Sequence, residues 1–244
     1  MDNRTRAFGI SALTLKLLGI TFMLLDHLWA TVWSVPWFAL VGRIAFPIFA
    51  FQIAEGFFRT SDRKQYMRRL LVFALISEIP FNLMLADSVF YPLHQNVMFT
   101  FLIALLLMQW MEKQRGNLQR FVGVSVVCVL LAMVLGLVTF VDYYHYGVFI
   151  VLLFYWTRGM KFGWLVQLLG MVYICDAMAG LVYPITLFGQ TLEIGQQMFA
   201  VLALVPIWLY NGQKGYSSKA VQLACYWFYP VHLAVLYVLS VLMH

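Results

Sequence analysis

The chain of 244 residues is 63% hydrophobic and 11% charged, with a formal net charge of +6 and a mean hydropathy of +0.84. So little polar surface excludes a water-soluble globule, and the composition predicts an integral membrane protein. Apart from Lys16 and Arg43, the basic residues lie at the N-terminus or in short gaps between apolar runs, and they form no stripe with interleaved aromatics, so we expect no nucleic-acid partner.

The apolar runs predict about nine transmembrane helices, because a helix needs roughly 20 apolar residues to cross about 30 Å of hydrocarbon. They cover residues 13–33, 37–58, 70–85, 97–111, 121–140, 143–156, 162–180, 198–210 and 220–243. The stretch 184–193 is interpreted as a loop, a re-entrant piece or a broken tenth helix. The sequence therefore predicts an all-α polytopic membrane protein with nine to ten transmembrane helices, as a single domain over residues 1–244.

The gaps between the runs alternate in charge. The N-terminus and the gaps 59–69, 112–120, 157–161 and 211–219 hold the basic residues, and the intervening gaps hold none. The positive-inside rule then predicts a cytoplasmic N-terminus and, with nine helices, an external C-terminus. The first run contains Asp26 and His27 and lacks a small-residue cleavage site, so we interpret it as a retained helix and not as a signal peptide.

Arg43 lies within an apolar run, where an unpaired guanidinium is expensive, and ionisable groups in such places are candidate functional residues. Two compatible interpretations are open for it: a structural ion pair with Asp26 or Glu78, and a role in binding substrate or cofactor. His27 is either an interhelical hydrogen-bond donor or a general base, since imidazole titrates near neutrality.

Other polar residues are predicted at similar depth, in the outer half of the membrane, where the helices would surround a polar chamber. His94, Gln95 and Asn96 are either a polar helix start or donors to a substrate. His232 is either a packed structural histidine or a second active-site imidazole. The substrate-binding candidates are Glu78, Asn82, His94, Gln95 and, in the inner half, Glu55, which the spacing also allows to pair with Arg59.

Several familiar catalytic and metal-binding patterns are missing from the sequence. The three cysteines lie in apolar runs without Cys-x-x-Cys spacing, so neither a metal site nor a disulfide framework is expected. The sequence also lacks a nucleophile elbow, a Walker loop, a dinucleotide fingerprint and a His-Glu-x-x-His motif. The buried acids, histidines, arginine and amides fit either an acyl-transfer enzyme or a proton-coupled transporter; a scaffold without chemistry fits less well.

A family resemblance runs through nearly the whole chain in order. It is carried by Leu25-Asp26-His27, Gly42-Arg43-Ile44-Ala45-Phe46-Pro47, Glu55-Gly56, Ser77-Glu78-Ile79-Pro80-Phe81-Asn82, His94-Gln95-Asn96 and Phe228-Tyr229-Pro230-Val231-His232. These segments resemble the TraX family, whose founding member acetylates the N-terminus of a conjugative pilin, and more distantly the larger group of transmembrane acyltransferases. The resemblance implies a multi-pass protein of the bacterial inner membrane that uses acetyl-CoA and acts on an acceptor on the extracytoplasmic side.

Residue roles follow from the resemblance and from the predicted depth. The expected catalytic residues are His27, Asp26, Arg43, Asn96 and His232. The partners expected are acetyl-CoA, an unidentified extracytoplasmic acceptor (a protein N-terminus, glycan or lipid) and membrane lipids, with no metal. Five basic residues are candidates for the coenzyme A phosphates, although an orientation signal is the stronger interpretation of the same cluster: Arg59, Arg63, Lys64, Arg68 and Arg69.

Overall fold

The structure is a computed structural model and describes residues 9–178, 180–187 and 190–243. Its helices include α1 (Ala12–Thr31), α2 (Pro36–Gly42), α3 (Ala45–Arg59), α4 (Arg63–Ala86), α5 (Val97–Glu112), α6 (Leu118–Val138), α7 (Tyr144–Thr157), α8 (Gly163–Ala177) and α10 (Lys219–Met243). A 3₁₀ helix, Gln196–Ala203, leads into the short α9, Leu204–Trp208. The predicted cytoplasmic N-terminus, residues 1–8, lies outside the described residues.

Five of these segments are long and apolar enough to cross a membrane, judged by length and composition. They are Ala12–Thr31, Pro36–Arg59, Arg63–Ala86, Leu118–Val138 and Lys219–Met243. The described chain thus fits a helical membrane protein, but five candidate spans are fewer than the nine to ten predicted. The shorter apolar helices explain the difference: α7, at 14 residues, covers only about 21 Å at 1.5 Å per residue.

The helix predicted over residues 37–58 is interrupted at Arg43 and Ile44, between α2 and α3. Pro47 accounts for the break, because its ring nitrogen has no hydrogen to donate to the carbonyl of Arg43 four residues earlier, and the ring crowds that carbonyl. Arg43 is the C-terminal cap of α2. The charged residue therefore lies where the helical backbone is interrupted, a feature that the sequence interpretation missed.

The all-α prediction is wrong for residues 182–187 and 190–195. Strands β1 (Val182–Leu187) and β2 (Gln190–Gly195) pair antiparallel, with Val182 opposite Gly195 and Thr186 opposite Thr191. Residues 188 and 189 lie outside the described residues. The physical reason for the correction is local: β-branched residues such as Val182, Thr186 and Thr191 favour extended backbone, and a short hairpin satisfies its main-chain groups by cross-strand bonds.

The chain divides into two compact units: residues 9–52 with 157–218, and residues 53–156 with 219–243, within the described ranges. In the first unit α1 packs on α2, and the 3₁₀ helix packs on α2 and α8. In the second, α4 packs against α5 and α10, and α5 packs against α6. The predicted functional residues divide between the units, so the chamber shared by all of them and the single domain stay predictions.

Candidate functional site

In the first unit, the Arg43 guanidinium forms an ion pair with Asp26. Both Nε, at 3.1 Å, and a terminal nitrogen of Arg43 donate to the same oxygen, Asp26 Oδ1. Each side chain is 14% exposed, so the pair is largely withdrawn from solvent. The sequence left two acidic partners open for Arg43, Asp26 and Glu78, and in the structure Arg43 forms its ion pair with Asp26.

Gly42 explains how α1 and α2 approach closely enough for this pair. A Cβ atom placed on Gly42 would lie 2.8 Å from the Asp26 Cα, which is backbone and cannot move aside cheaply. Gly42 is buried. The Gly-Arg sequence therefore has a structural explanation: glycine permits the contact between helices, and the next residue supplies the charge.

His27 lies on α1 beside Asp26, but successive helical residues point about 100° apart. Its backbone carbonyl accepts a hydrogen bond from the Thr31 hydroxyl at 2.7 Å. On α3, the Gln52 amide donates to the Ala12 carbonyl at 2.7 Å, while Gln52 Oε1 is buried with no hydrogen-bond partner among the described residues. The catalytic role of His27 stays a prediction.

The second unit holds a buried amide and carboxylate pair. Asn96 Nδ2 donates to Glu78 Oε2 at 2.6 Å and to the Ala74 carbonyl at 2.9 Å, and Asn96 Oδ1 caps α5 by accepting from the Met98 N–H at 3.1 Å. Asn96 is fully buried. Both amide hydrogens are thus used in this conformation, and Asn96 fixes the position of Glu78 relative to the start of α5.

Three buried polar atoms on the middle turns of α4 have no hydrogen-bond partner within the described part of the chain. They are Ser77 Oγ, Glu78 Oε1 and Asn82 Oδ1. Buried polar atoms are nearly always satisfied by protein or ordered water, so an orphaned group of this kind requires an explanation. The surface of α4 that carries Glu78 and Asn82 is suited to a polar ligand or to ordered water.

His94 precedes α5 and pairs with Asp142, at 3.3 Å between His94 Nε2 and Asp142 Oδ1. This hydrogen bond raises the pKa of His94 above its ordinary value; burial opposes the rise, and the charges of Asp142 and Glu78 add to it. A hydrogen bond fixes the main chain of Gln95, whose N–H donates to the Phe140 carbonyl at 2.8 Å.

His232, on α10, is 6% exposed. Its Nδ1 donates to the Phe228 carbonyl at 2.8 Å, and its ring stacks on that of Phe228 at a centroid distance of 4.8 Å. The neighbouring Tyr229 is also buried, and its ring lies 5.6 Å from that of His232, measured between centroids. The packed-histidine interpretation has clear structural support here, and the role as a second imidazole stays a prediction.

The basic candidates lie at the end of α3 and the start of α4. Arg59 Nε pairs with Glu55 at 2.9 Å, as their i,i+4 spacing allows. Arg63 Nε donates to the Phe57 carbonyl at 3.2 Å and its guanidinium lies 4.1 Å from the centre of the Phe57 ring. Lys64, Arg68 and Arg69 are exposed, and Arg69 donates to the Gln65 amide oxygen. Of the five, Lys64, Arg68 and Arg69 are the most accessible to an anionic ligand.

Sequence reasoning missed Asp142 and Tyr229. Asp142 falls in a short polar gap between two apolar runs, as His94 does, and this shared position was the available signal. Tyr229 lies within the quoted segment around Pro230 but had been assigned no role.

Among the described residues there is no group of three or more histidine, cysteine, aspartate or glutamate side chains that could hold a metal ion.

Taken together, the fold and the buried ion pair define a helical membrane protein with charged groups placed inside apolar segments. Residues 11–240 match the family model for the TraX protein, and the chain belongs to the TraX family. It is 28% identical over 253 aligned positions to a protein of Dichelobacter nodosus described as the probable fimbrial assembly protein FimC, serogroup H1; the alignment covers 95% of this chain and 96% of that one. No solved structure matches the chain.

Proposed function

We propose that this protein is a membrane-embedded acetyltransferase that moves an acetyl group from cytoplasmic acetyl-CoA to an extracytoplasmic amine or hydroxyl. Membership of the TraX family over residues 11–240 supports the proposal, as does the similarity to a protein described as acting in fimbrial assembly. The acceptor class is a protein N-terminus, a glycan or a lipid, and the compartment is the bacterial inner membrane.

The observation that carries the proposal is the Asp26 and Arg43 pair at the break between α2 and α3. A guanidinium fixed in a low-dielectric environment stabilises negative charge that develops on a thioester oxygen during acyl transfer. Asp26 keeps the guanidinium oriented and compensates its charge before substrate binds.

In the proposed reaction the acceptor nitrogen or oxygen attacks the thioester carbon. The bond to the acceptor forms, the carbon to sulfur bond breaks, and the proton that the acceptor loses is taken by His27 and returned to the departing thiolate to give coenzyme A. His27 alternatively carries the acetyl group transiently as an acyl-imidazole. Asn96 and His232 are the additional polar groups proposed to assist, with His232 as the reserve acid or base.

Acceptor binding is assigned to polar groups of the second unit. Glu78 and Asn82 offer buried oxygen acceptors that lack partners among the described residues, and they suit an acceptor that donates hydrogen bonds. His94 and Gln95 extend this surface at the start of α5. The inner-half residue Glu55 is occupied by Arg59 in this conformation, so we assign it a supporting role.

Coenzyme A binding is assigned to the basic surface at the start of α4. Exposed Lys64, Arg68 and Arg69 are positioned to meet phosphate groups, while Arg59 and Arg63 are held by Glu55 and Phe57. Guanidinium and ammonium groups are the usual protein partners of phosphate. The same cluster also serves as the positive-inside signal, and the two roles are compatible.

The test uses the full-length protein in nanodiscs with radiolabelled acetyl-CoA, following coenzyme A release and label on added acceptors. We expect release by the wild-type protein and a loss of at least 100-fold in His27→Ala and Arg43→Ala, in line with the size of general-base and oxyanion contributions. His145→Gln is the matched histidine control and should retain wild-type activity. Full activity in folded His27→Ala and Arg43→Ala proteins would overturn the proposal.

One observation favours a second candidate, a proton-coupled transporter. Broken helices with charged groups at the break are a recurrent feature of transporter binding sites, and α2 and α3 form such a break at Arg43. The sequence shows no internal repeat to support this alternative. A solute flux into proteoliposomes that depends on Arg43, without coenzyme A release, would favour the transporter.

A further inference from the structure

The backbone on both sides of Asp142 adopts a conformation that bulky residues rarely use. Phe140, Tyr143 and Tyr144 have φ angles of 51°, 61° and 47°. Within the described residues, the remaining non-glycine residue with positive φ is Asp87. Left-handed backbone is unfavourable for an ordinary L-residue, and such conformations persist where the surroundings enforce them, often at functional sites.

Hydrogen bonds fix the position of Asp142 within this strained segment. Its N–H donates to the Gln95 carbonyl at 2.9 Å, and its carbonyl accepts from the buried Thr100 hydroxyl at 2.6 Å. The carboxylate oxygen that meets His94 also accepts from the Tyr143 N–H at 3.0 Å. The strain and these bonds together place one carboxylate oxygen against one imidazole nitrogen.

The His94 ring lies between aromatic neighbours and a second carboxylate. Phe81 of α4 is 5.6 Å away and Tyr144 of α7 is 6.4 Å away, measured between ring centres. The charged groups that act on His94 are Asp142 and, from α4, Glu78, and Tyr229 of α10 lies within electrostatic range of both carboxylates. The side chain of His94 is 29% exposed, so its ring is accessible to a substrate or to water.

The hydrogen bond to Asp142 also decides the tautomer of neutral His94. A carboxylate accepts, so Nε2 carries the hydrogen. Nδ1 then holds the lone pair, and within the described chain no hydrogen bond to Nδ1 is found. His94 thus presents a basic nitrogen, while its other nitrogen is held by a carboxylate, as in base and orienter pairs of many enzymes.

We propose that Asp142 is the positioning residue of His94, and that the pair accepts a proton from an amine acceptor on the extracytoplasmic side. This inference rests on the acetyltransferase function proposed above. An ammonium group must lose two protons to become an amide: one leaves before attack and passes to His94 Nδ1, and the other ends on the sulfur of coenzyme A. The carbon to nitrogen bond forms as the carbon to sulfur bond breaks, and His94 then releases its proton to external water.

The first measurement is independent of activity. Full-length protein labelled with ¹⁵N in its histidine rings is titrated in nanodiscs by NMR; the chain has five histidines, and His94→Gln identifies the signals of His94. In Asp142→Asn we expect His94 to titrate at lower pH than in the wild-type protein and to lose its preference for the Nε2–H tautomer. Asp87→Asn is the matched control, because Asp87 bonds to the Tyr237 hydroxyl, and it should leave the His94 titration unchanged.

The second measurement is the pH profile of acetyl transfer to an amine acceptor, on the same proteins. In Asp142→Asn we expect a 10- to 100-fold lower maximal rate, and the rising limb of the pH profile should move to lower pH. The rate should recover in Asp142→Glu, which keeps a carboxylate, and should stay low in Asp142→Ala. An unchanged His94 titration in folded Asp142→Asn would overturn the positioning role. A changed titration with an unchanged pH profile would show a structural pair and overturn the proton role.

The two measurements also separate this inference from the proposed function. If the wild-type protein transfers no acetyl group, the acetyltransferase proposal fails and the proton role fails with it. The NMR titration would still decide, by itself, whether Asp142 orients His94.

Discussion

Arg43 and Asp26 form a two-donor contact with a single carboxylate oxygen, and this contact joins α1 to the C-terminal end of α2. The pair is 14% exposed on each side. Burying two charges costs desolvation free energy. The attraction between Arg43 and Asp26 offsets that cost only while both side chains are present.

Removing both partners of this pair should lower the free energy of unfolding by less than the two single removals added together. Arg43→Gln and Asp26→Asn each remove one half of a largely buried ion pair, and we expect each to lower the free energy of unfolding by about 3 to 5 kcal/mol. The double variant Asp26→Asn/Arg43→Gln should be more stable than the sum of the two single losses predicts. Thermal inactivation midpoints in detergent, read by size-exclusion fluorescence, measure this; strict additivity would show that the two side chains are not coupled.

Gly42→Ala should disrupt the packing of α1 on α2. The added Cβ would lie 2.8 Å from the Asp26 Cα, so the helices must separate and the Arg43 contact must weaken. We expect a loss of about 1 to 3 kcal/mol, the usual cost of overpacking. Gly123→Ala on α6 is the control, because nothing lies within 4 Å of the added Cβ, and its inactivation midpoint should stay close to wild type. Equal midpoints for both variants would contradict the close approach.

Asn96→Ala should cost more than a simple helix cap. Asn117, the cap of α6, makes a single bond of this kind, to the Arg120 N–H at 3.0 Å, and Asn117→Ala should lose about 1 kcal/mol. Asn96→Ala loses a comparable cap and also the side-chain donors to Glu78 and Ala74, which leaves the half-buried Glu78 carboxylate with the longer contact from the residue 96 N–H at 3.4 Å. Its loss should exceed that of Asn117→Ala by about 1 to 3 kcal/mol. A comparison of unfolding midpoints in detergent decides this, and similar losses would show that Glu78 finds other partners.

The His94 and Asp142 pair should make stability depend on pH in a defined direction. The folded-state pKa of His94 is raised by its hydrogen bond to Asp142, so the folded protein binds the proton more tightly than the unfolded chain. The stabilisation is therefore fully present below the unfolded value of about 6.5 and is lost as pH rises through the raised folded value. The difference in midpoint between wild type and His94→Gln, measured from pH 5 to 9, should shrink with rising pH; a constant difference would contradict the pair.

The basic surface at the start of α4 should contribute to acetyl-CoA binding through charge. Lys64→Gln/Arg68→Gln should weaken binding about 10-fold, with less difference from wild type at high salt, because screening reduces the attraction between exposed charges. Lys113→Gln/Lys161→Gln also removes two positive charges and should bind as the wild-type protein does. Equilibrium binding in nanodiscs measures this, and equal weakening in both variants would indicate a general field and no localised site.

Local rules account for much of what was predictable. Hydrophobic run length located the apolar helices, and i,i+4 spacing gave the Glu55 and Arg59 pair. The helix break at Arg43 was also within reach, because proline chemistry acts on the carbonyl four residues earlier and Pro47 stands in the sequence. The pairing of strands 182–187 and 190–195 was missed because a short run rich in β-branched residues has no helical or strand period long enough to distinguish the two.

By itself the sequence determined that this is a helical membrane protein, that Arg43 needs a buried acidic partner, and which family the chain belongs to. Composition and local periodicity carry that information, because hydrocarbon requires apolar surface and saturated backbone bonds along each segment. The tertiary structure decided the partners: Asp26 for Arg43, Asp142 for His94 and Glu78 for Asn96. Those pairs are separated by 17, 48 and 18 positions, and packing between elements, which no local rule encodes, brings them together.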